Sequence, residues 1–572
     1  MKIRSLVRPL LWAAPGLLAS ALAFAQAPPE QPIREEAEPG IPITSEAVKG
    51  ACGSCHPADA RGCLTRISFR RTTPEGWQET IKRMATLNAA PLEPAVGREV
   101  VRYLANELGL APEEAGPAAF EVERRLIEYE YPDKDTQRTC GACHSIGRAM
   151  LQRRTGEEWD LLVAMHRGYY PLVDFQAFRN LVPPPTEPGP DGRPPDRRHP
   201  VEKALAHLKA AFPLRSLEWA AWTANKRPPR LAGRWGLAAS APGRGPVFGE
   251  VTITANRGND AEFTTEARYA AARGGSALVG HGQAILYTGF QWRGRSTSGG
   301  GEPKTLREVM FVGRDGRSIA GRWFAGAYDE SGLDVKLVRL GSDPVVLGAS
   351  PSALRVGEAS TVRVYGFNLG RALEPGEVDF GPGVSVRRVA EAEGGLAVDL
   401  EVASQAPVGA RDVSVAGATC PRAAVVFSSV DGLKVTPQAG LARVGGIQFP
   451  KGFQQFEARG LSNGPDGKPD TKDDLDLGPL EADWSIEEFT ATVGDDDRDW
   501  VGRIDASGLF TPAEDGPNPK RSGSRNNVGD VFVVATLPTA SPLRPAAPLR
   551  ARAHLIVTVP LYVRWDQPEV LP

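Results

Sequence analysis

Two pentapeptides in this 572-residue chain have the residue types and spacing to do chemistry: Cys52-Gly53-Ser54-Cys55-His56 and Cys140-Gly141-Ala142-Cys143-His144. In a Cys-x-x-Cys-His run each part has a task. The two thiols add across the vinyl groups of a haem, and the histidine behind them reaches the iron as its proximal ligand. A thioredoxin-like dithiol or half of a zinc site needs the two cysteines but no histidine directly after them. Two such runs in one chain therefore read as two covalently bound haem c groups, one on Cys52, Cys55 and His56, the other on Cys140, Cys143 and His144.

The ligand on the far side of each iron sets what a haem can do, and with five methionines and seven histidines the chain offers few candidates. Met1 belongs to the leader described below. Met84 lies 28 residues after His56, on a helical run led by Trp77 and just before Asn88-Ala89-Ala90-Pro91, which suits the first haem. The same spacing also describes a core methionine. For the second haem, Met165 and His166 stand side by side on a run led by Trp159. Trp77 to Met84 and Trp159 to His166 are both seven residues, so His166 is the expected ligand, Met165 the alternative and Met150 a distant third. A His56/Met84 haem has a higher potential than a His144/His166 haem, so the expected direction of electrons is from the second haem to the first. His199, His207, His281 and His554 read as surface or structural residues.

Helical periodicity surrounds both motifs. From Ser45 to about Asn225, helical spacing links Trp77, Ile81, Met84 and Leu87, then Val100, Leu104 and Leu108, then Trp159, Leu162, Val163 and His166. The 88 residues from Cys52 to Cys140, with a tryptophan-led helix after each motif, predict a duplicated haem-binding unit. Pro183 to Pro200 is too proline-dense for helix or central strand and is expected as an exposed loop, followed by a helical segment from Val201 to Trp222. Beyond Arg227-Pro228-Pro229 glycine rises, and short alternating runs such as Val251-Thr252-Ile253-Thr254 take over. The expected fold is multidomain. An α-helical dihaem cytochrome c domain over 26–228 precedes a β-barrel-like domain over 229–344. An immunoglobulin-like sandwich over 345–432, with strand runs to near Val415, and a C-terminal β-sandwich over 433–572 complete it.

Lys2, Arg4 and Arg8, the apolar stretch from Leu10 to Phe24 and Ala23-Phe24-Ala25 have the three parts of a secretory signal peptide, over 1–25. A flexible leader from Gln26 to Pro42 follows. No later stretch has the roughly 20 apolar residues a spanning helix needs, so no membrane span is expected and the compartment is the periplasm. The formal charge is -2, and losing the three basic residues of the leader takes it to about -5, which gives no sign of nucleic acid. Cys63 and Cys420, outside the motifs, are either an interdomain disulfide or unpaired thiols. The run from Asn463 to Asp476 spaces carboxylates on a glycine-bearing loop, which suits a calcium ion, although a solvated acidic turn explains the same residues. Asp495-Asp496-Asp497 reads as a charged turn. No phosphate-cradling glycine motif follows a strand, and Gly460-Leu461-Ser462-Asn463-Gly464 leads into the acidic loop, not into a nucleophile elbow, so no catalytic constellation is read.

Two haem motifs ahead of all-β domains resemble the alpha subunit of quinohemoprotein amine dehydrogenase. The resemblance covers nearly the whole chain after the leader. It is carried by the first haem motif with Arg66-Ile67-Ser68 and Thr73-Pro74-Glu75-Gly76-Trp77, and by the second with Gly156-Glu157-Glu158-Trp159. Gly233-Arg234-Trp235, Ser350-Pro351, Asp466-Gly467-Lys468-Pro469 and Asn527-Val528-Gly529-Asp530 extend it into the β region. The resemblance implies a heterotrimer with a β-propeller subunit and a small subunit bearing a tryptophan-derived quinone, where primary amines become aldehyde and ammonia. It implies that this chain carries electrons from the quinone to a soluble redox acceptor, a cytochrome or a blue copper protein, and holds no catalytic residue of its own. Cys63 and the proline loop find no counterpart in the family pattern. The rival readings are a dihaem c-type peroxidase, which has no use for the long β region, and a haem-bearing surface-binding module.

Overall fold

A computed structural model describes residues 38–560, except 124–130, 180–185, 189–191, 193, 228, 275, 300–303, 327–330, 371, 490–495, 522 and 524–525. The expected signal peptide, most of the leader, Pro183-Pro184-Pro185 and Asp495 lie outside the described residues. Pro39 ends one unit, and Gly40 begins the unit that holds every element below.

In chain order the helical domain comprises α1 (Glu46–Cys52), strand β1 (Arg70–Thr72), α2 (Pro74–Leu87), α3 (Pro94–Glu107), α4 (Pro112–Ala115), α5 (Lys134–Cys140), α6 (Gly147–Met150), strand β2 (Gln152–Arg154), α7 (Gly156–Tyr169), α8 (Val173–Gln176), α9 (Pro200–Ala211) and α10 (Leu217–Asn225). Short polar residues start most of the longer helices. Thr73 caps α2 by accepting from the Gly76 amide, and Thr155 caps α7 by accepting from Glu158. Four residues further on, Trp77 and Trp159 are fully buried, and each indole N–H donates at 3.1 Å to a carbonyl, of Leu108 and of Phe212. The two halves therefore repeat in detail.

β1 and β2 pair antiparallel with Arg71 opposite Arg153. These two residues stand 82 positions apart, as Trp77 and Trp159 do, so each occupies the other's place in its own half. A residue paired with its own counterpart lies on a local two-fold axis, and the duplicated unit is arranged about this one. Glu114 sits beside it. Its carboxylate accepts from Arg71 at 2.7 and 2.9 Å, from Arg153 at 2.9 Å, and from the Ser216 hydroxyl and Ala111 amide at 2.8 Å each. Burial alone pushes this carboxyl up, and the two guanidiniums overcome it and hold the pKa down at about 2.

The single helical segment expected from Val201 to Trp222 is two helices. Pro213 has no amide to donate and its ring crowds the preceding turn, so α9 stops at Ala211 and α10 starts afresh with Ser216 as its cap.

Eight strands between Gly233 and Arg339 close into an antiparallel barrel: β3 (Gly233–Ala241), β4 (Gly245–Asn256), β5 (Asn259–Ala271), β6 (Leu278–Tyr287), β7 (Gln291–Gly299), β8 (Lys304–Val312), β9 (Ser318–Ala325) and β10 (Ser331–Arg339), with β10 pairing back on β3. Strand alternation turns Phe263, Thr265, Ala267 and Tyr269 of β5 inward. Trp235, Trp292 and Trp323 join them, and eight strands leave a lumen just wide enough for such side chains. Gly109 ends the first half of the helical domain against this barrel: Thr288, in the turn after β6, donates to the Ala105 carbonyl at 2.9 Å, and the Trp222 indole donates to the Thr288 carbonyl at 3.1 Å. Glu75 at the start of α2 and Arg293 of β7 form a buried ion pair across the same junction.

The next domain is a sandwich of two four-stranded sheets whose inner faces bring Val362, Val364, Val398 and Leu400 against Val413, Val415 and Val426. One of its strands, Ala418–Phe427, follows Val415, where the expected runs stop. In the last domain Leu549–Thr558 pairs antiparallel with Gly529–Leu537 and parallel with Ala439–Arg443 over a core of valine, alanine and leucine. Cys63 and Cys420 are both unbridged, so the disulfide alternative is not the one this fold adopts. Among the described residues no helix is long and apolar enough to cross a membrane.

Candidate functional site

The second motif opens into a cavity of about 580 Å³, within the range of roughly 300–1,000 Å³ usual for cofactor pockets. α5 delivers Cys140, the turn after it delivers Cys143 and His144, and α7 brings His166 from the other side; all four line the cavity, with Met165 and Tyr170 beside His166. The ring centres of His144 and His166 are 6.5 Å apart. Two imidazoles on one metal ion, each with a metal–nitrogen bond of about 2 Å, have ring centres roughly 6 Å apart, so the pair fits a single iron between them. The ring nitrogens agree. His144 Nδ1–H donates to the Ser145 carbonyl and His166 Nδ1–H to the Leu162 carbonyl, each at 2.8 Å. A carbonyl only accepts, so in each neutral ring the lone pair sits on Nε2, the nitrogen a metal takes. Burial, helped by Arg148 and His166, pulls the His144 pKa down and favours that neutral form.

At the first motif α1 ends at Cys52, and the His56 amide turns back to the Cys52 carbonyl at 2.9 Å. His56 Nδ1–H donates to the Thr65 carbonyl at 2.9 Å, again freeing Nε2. Ala51 and Cys52 pack on the core that takes Trp77 and Ile81 of α2. Met84 follows on the same helical stripe, half-buried, with Asn88 Nδ2 3.8 Å from its sulfur. Met150 packs between the core around the second motif and the barrel core.

Burial pushes the Cys52 thiol up, with Cys55 adding to the rise, and pushes the Cys140 thiol up to about 11, with Asp133 adding to it. A redox dithiol needs its thiolate stabilised, so these environments speak against that alternative. The remaining histidines have structural partners. His199 caps α9, His207 bonds the Tyr131 hydroxyl at 2.7 Å, His281 faces Glu266, and His554 stacks on Phe489 with ring centres 4.5 Å apart.

In the acidic run from Asn463 to Asp476 the carboxylates serve the loop itself. Asp466 accepts from the Lys468 amide, Asp473 from the Asp466 amide, and Asp476 from Arg459. Among the described residues no three His, Cys, Asp or Glu side chains converge as a metal-binding group. The neighbouring charged turn is also different from its expectation. Asp497 is fully buried and accepts from Arg521 and Asn518.

Sequence patterns miss four residues of the second cavity, Arg70, Arg83, Arg148 and Arg154. Arg70 and Arg154 are 9% and 4% exposed. The signal was there in the paired arginines just before each cap, Arg70-Arg71 and Arg153-Arg154, in strands too short to face solvent on both sides.

Four family models match the chain in succession. They are "Quinohemoprotein amine dehydrogenase A, alpha subunit, haem binding" over residues 43–180, and the alpha-subunit domains II, III and IV of quinohemoprotein amine dehydrogenase over 228–340, 343–428 and 433–570. No curated protein matches significantly. Among solved structures, a redesigned β-barrel is 12% identical, covers 20% of this chain and 96% of its own, and has a TM-score of 0.18. A second redesigned barrel, bound to DFHBI, is 13% identical over 19% of this chain and 98% of its own, with a TM-score of 0.17. A Bacteroides ovatus mixed-linkage glucan utilization locus protein, SGBP-B, in complex with a mixed-linkage heptasaccharide is 13% identical, covering 42% of this chain and 56% of its own, with a TM-score of 0.18. With a haem-binding region and three β domains matched in the family's own order, the chain belongs to the alpha-subunit family of quinohemoprotein amine dehydrogenase.

Proposed function

We propose that the chain is the dihaem electron-transfer subunit of a periplasmic quinohemoprotein amine dehydrogenase. The observation that carries the reading is the His144/His166 pair, two imidazoles 6.5 Å apart with their Nε2 atoms free, in a cavity walled by the thiols of the second motif. His144 and His166 would hold the iron of the second haem, and His56 and Met84 that of the first. Bound haem supplies one-electron chemistry. The protein's part would be to supply the two imidazoles, fix each ring through a backbone carbonyl, and shield the centre with Trp159, Leu162 and Leu208. A peroxidase would need one of these ligands to leave so that peroxide can bind. The amine is then oxidised elsewhere, at a tryptophan-derived quinone on a small subunit held with a β-propeller subunit, and a cytochrome or blue copper protein takes the electrons.

The test is to purify the complex from its host and count haems by mass. Two haems are expected on this chain, one after the double change Cys140→Ala and Cys143→Ala, together with loss of the methionine-to-iron band in Met84→Ala. Amine should reduce the wild-type haems. Rapid oxidation of the reduced protein by peroxide, with turnover, would sink the electron-carrier reading in favour of a peroxidase.

A further inference from the structure

The wall of the second cavity carries more positive charge than the chain itself neutralises. Arg70, Arg83, Arg148 and Arg154 line it against two carboxylates, Glu79 and Glu121. Glu79 lies 3.5 Å from Arg148, and Glu121 accepts from the Ser145 hydroxyl at 2.5 Å. Arg154 reaches Glu158, which Arg66 also holds. Arg70 and Arg83 have no carboxylate within ion-pair distance among the described residues. Arg70 donates to the Thr80 hydroxyl at 2.7 Å and weakly to the Gly76 carbonyl at 3.4 Å, while the Nε atoms of both Arg70 and Arg83 are buried without a partner. Burying a guanidinium is costly, and burial together with Arg83 pulls the Arg70 pKa down to about 10 although Glu79 and Glu158 pull the other way.

What would settle these two cations must enter the cavity from outside the chain, bring two anionic groups, and accept planar hydrogen bonds. We propose that the second haem is seated with its two propionates on Arg70 and Arg83, so that its acidic edge lies against α2. The inference rests on the haem reading above. It makes α2 a partition with two working stripes. Gly76, Glu79, Thr80 and Arg83 face the second cavity, while Trp77 and Ile81 pack into the core beside the first motif, with Met84 next on their helical stripe. An α-helix is about 10–12 Å across with its side chains, so the two haem sites are separated by one helix.

The arrangement predicts an electrostatic signature. Each guanidinium offsets a propionate charge, and losing one favours the more positive, oxidised iron. At roughly 10 Å and an effective dielectric of about 20, one unit charge changes the reduced-to-oxidised ratio by on the order of tenfold. For a one-electron couple that is about 59 mV.

The experiment is a spectroscopic redox titration of the full complex with Arg83→Gln, Arg83→Lys and Arg70→Gln. In Arg83→Gln the second haem should become harder to reduce by about tenfold at fixed poise, the methionine-ligated haem should move much less, and Arg83→Lys should recover most of the shift. Arg83 is partly exposed on α2, so it decides the matter even where Arg70→Gln fails to fold. An unshifted second haem, or a larger shift at the first haem, overturns the seat while two haems by mass leave the electron-carrier reading intact. A wild-type chain with one haem, or without a bis-histidine spectrum, overturns both.

Discussion

Replacing Glu114 with alanine should be among the most damaging single changes in the helical domain. The carboxylate takes three bonds from Arg71 and Arg153 and two more from Ser216 and Ala111, with the Arg71 and Glu114 side chains 0% and 2% exposed. Alanine leaves two guanidiniums buried without their counter-charge, a change that costs about 3–5 kcal/mol in buried pairs. A second route gives a similar size. The carboxyl is held at about 2 against an ordinary value of 4.5, and at about 1.4 kcal/mol per pKa unit this is worth roughly 3 kcal/mol. With a urea m-value of about 2 kcal/mol/M, a loss of about 4 kcal/mol moves the midpoint down by about 2 M. The assay is urea unfolding of the haem-loaded chain followed in the Soret band, which reports the helical domain alone. Glu250→Ala is the control, because its pair with Arg234 is largely exposed and worth less than about 1 kcal/mol. Since the folded pKa is depressed, the contribution is complete above pH 4.5 and fades as pH falls towards 2, so wild type and Glu114→Gln should converge in acid. A Glu114→Ala midpoint no lower than that of Glu250→Ala would refute the reasoning.

The two-fold repeat makes a paired prediction. Trp77→Phe and Trp159→Phe each lose an indole bond to a buried carbonyl and leave a void, so each should lower stability by about 2–4 kcal/mol, and the losses read from urea unfolding of the two should agree within about 1 kcal/mol. In the barrel, a Cβ on Gly249 would lie 2.1 Å from the Arg268 carbonyl oxygen and 2.6 Å from the Tyr269 Cα, atoms of a paired strand that cannot swing away. Gly249→Ala should therefore lose about 1–3 kcal/mol in calorimetry of the barrel transition, whereas an open site such as Gly258, with nothing near, is the comparison for strain alone. Burial raises the Glu308 carboxyl, against the Trp292 indole that donates to it at 2.8 Å. A raised acid stabilises fully below its ordinary range and loses that contribution as pH rises through the folded pKa, so Glu308→Gln should gain melting temperature relative to wild type as pH rises above the ordinary carboxylate range; a difference that stays constant with pH would contradict it.

The haem-binding character and the helical-then-β order were legible because each rests on a local rule. A Cys-x-x-Cys-His run is read within five residues, and the inward alternation of Phe263, Thr265, Ala267 and Tyr269 within seven. The local two-fold was half visible. Equal spacing from Trp77 to Met84 and from Trp159 to His166 suggested a repeat, but only strand pairing could place Arg71 opposite Arg153. The arginines of the second cavity were hidden for a different reason. Pattern reading sends charged residues to solvent, and Arg70, Arg154 and Asp497 are buried by partners far away in sequence or by a cavity that no periodicity encodes. The break at Pro213 was visible in the sequence, and the apolar residues on either side outweighed a signal that should have ended the helix.

A duplicated unit folded about a two-fold axis starts with two equal sites, and the sequence differences between the halves make them unequal. Met84 and His166 hold the same place, each seven residues past a buried tryptophan whose indole grips a carbonyl. In the proposed ligation that single position would separate two haem potentials, since a methionine and a histidine on iron set different potentials. The wall charges break the symmetry further. Arg70 in the first half corresponds to Gln152 in the second, and Thr72 to Arg154, so both unmatched arginines, paired across the β1–β2 ladder, fall on the side of the second cavity. In the proposed arrangement the iron ligand and the propionate seat would act on potential separately, the first through bonding at the iron and the second through charge at the porphyrin edge. Changing Met84 should move the first haem, changing Arg83 the second, and the double change should give the sum of the two shifts, because one helix keeps the sites physically apart.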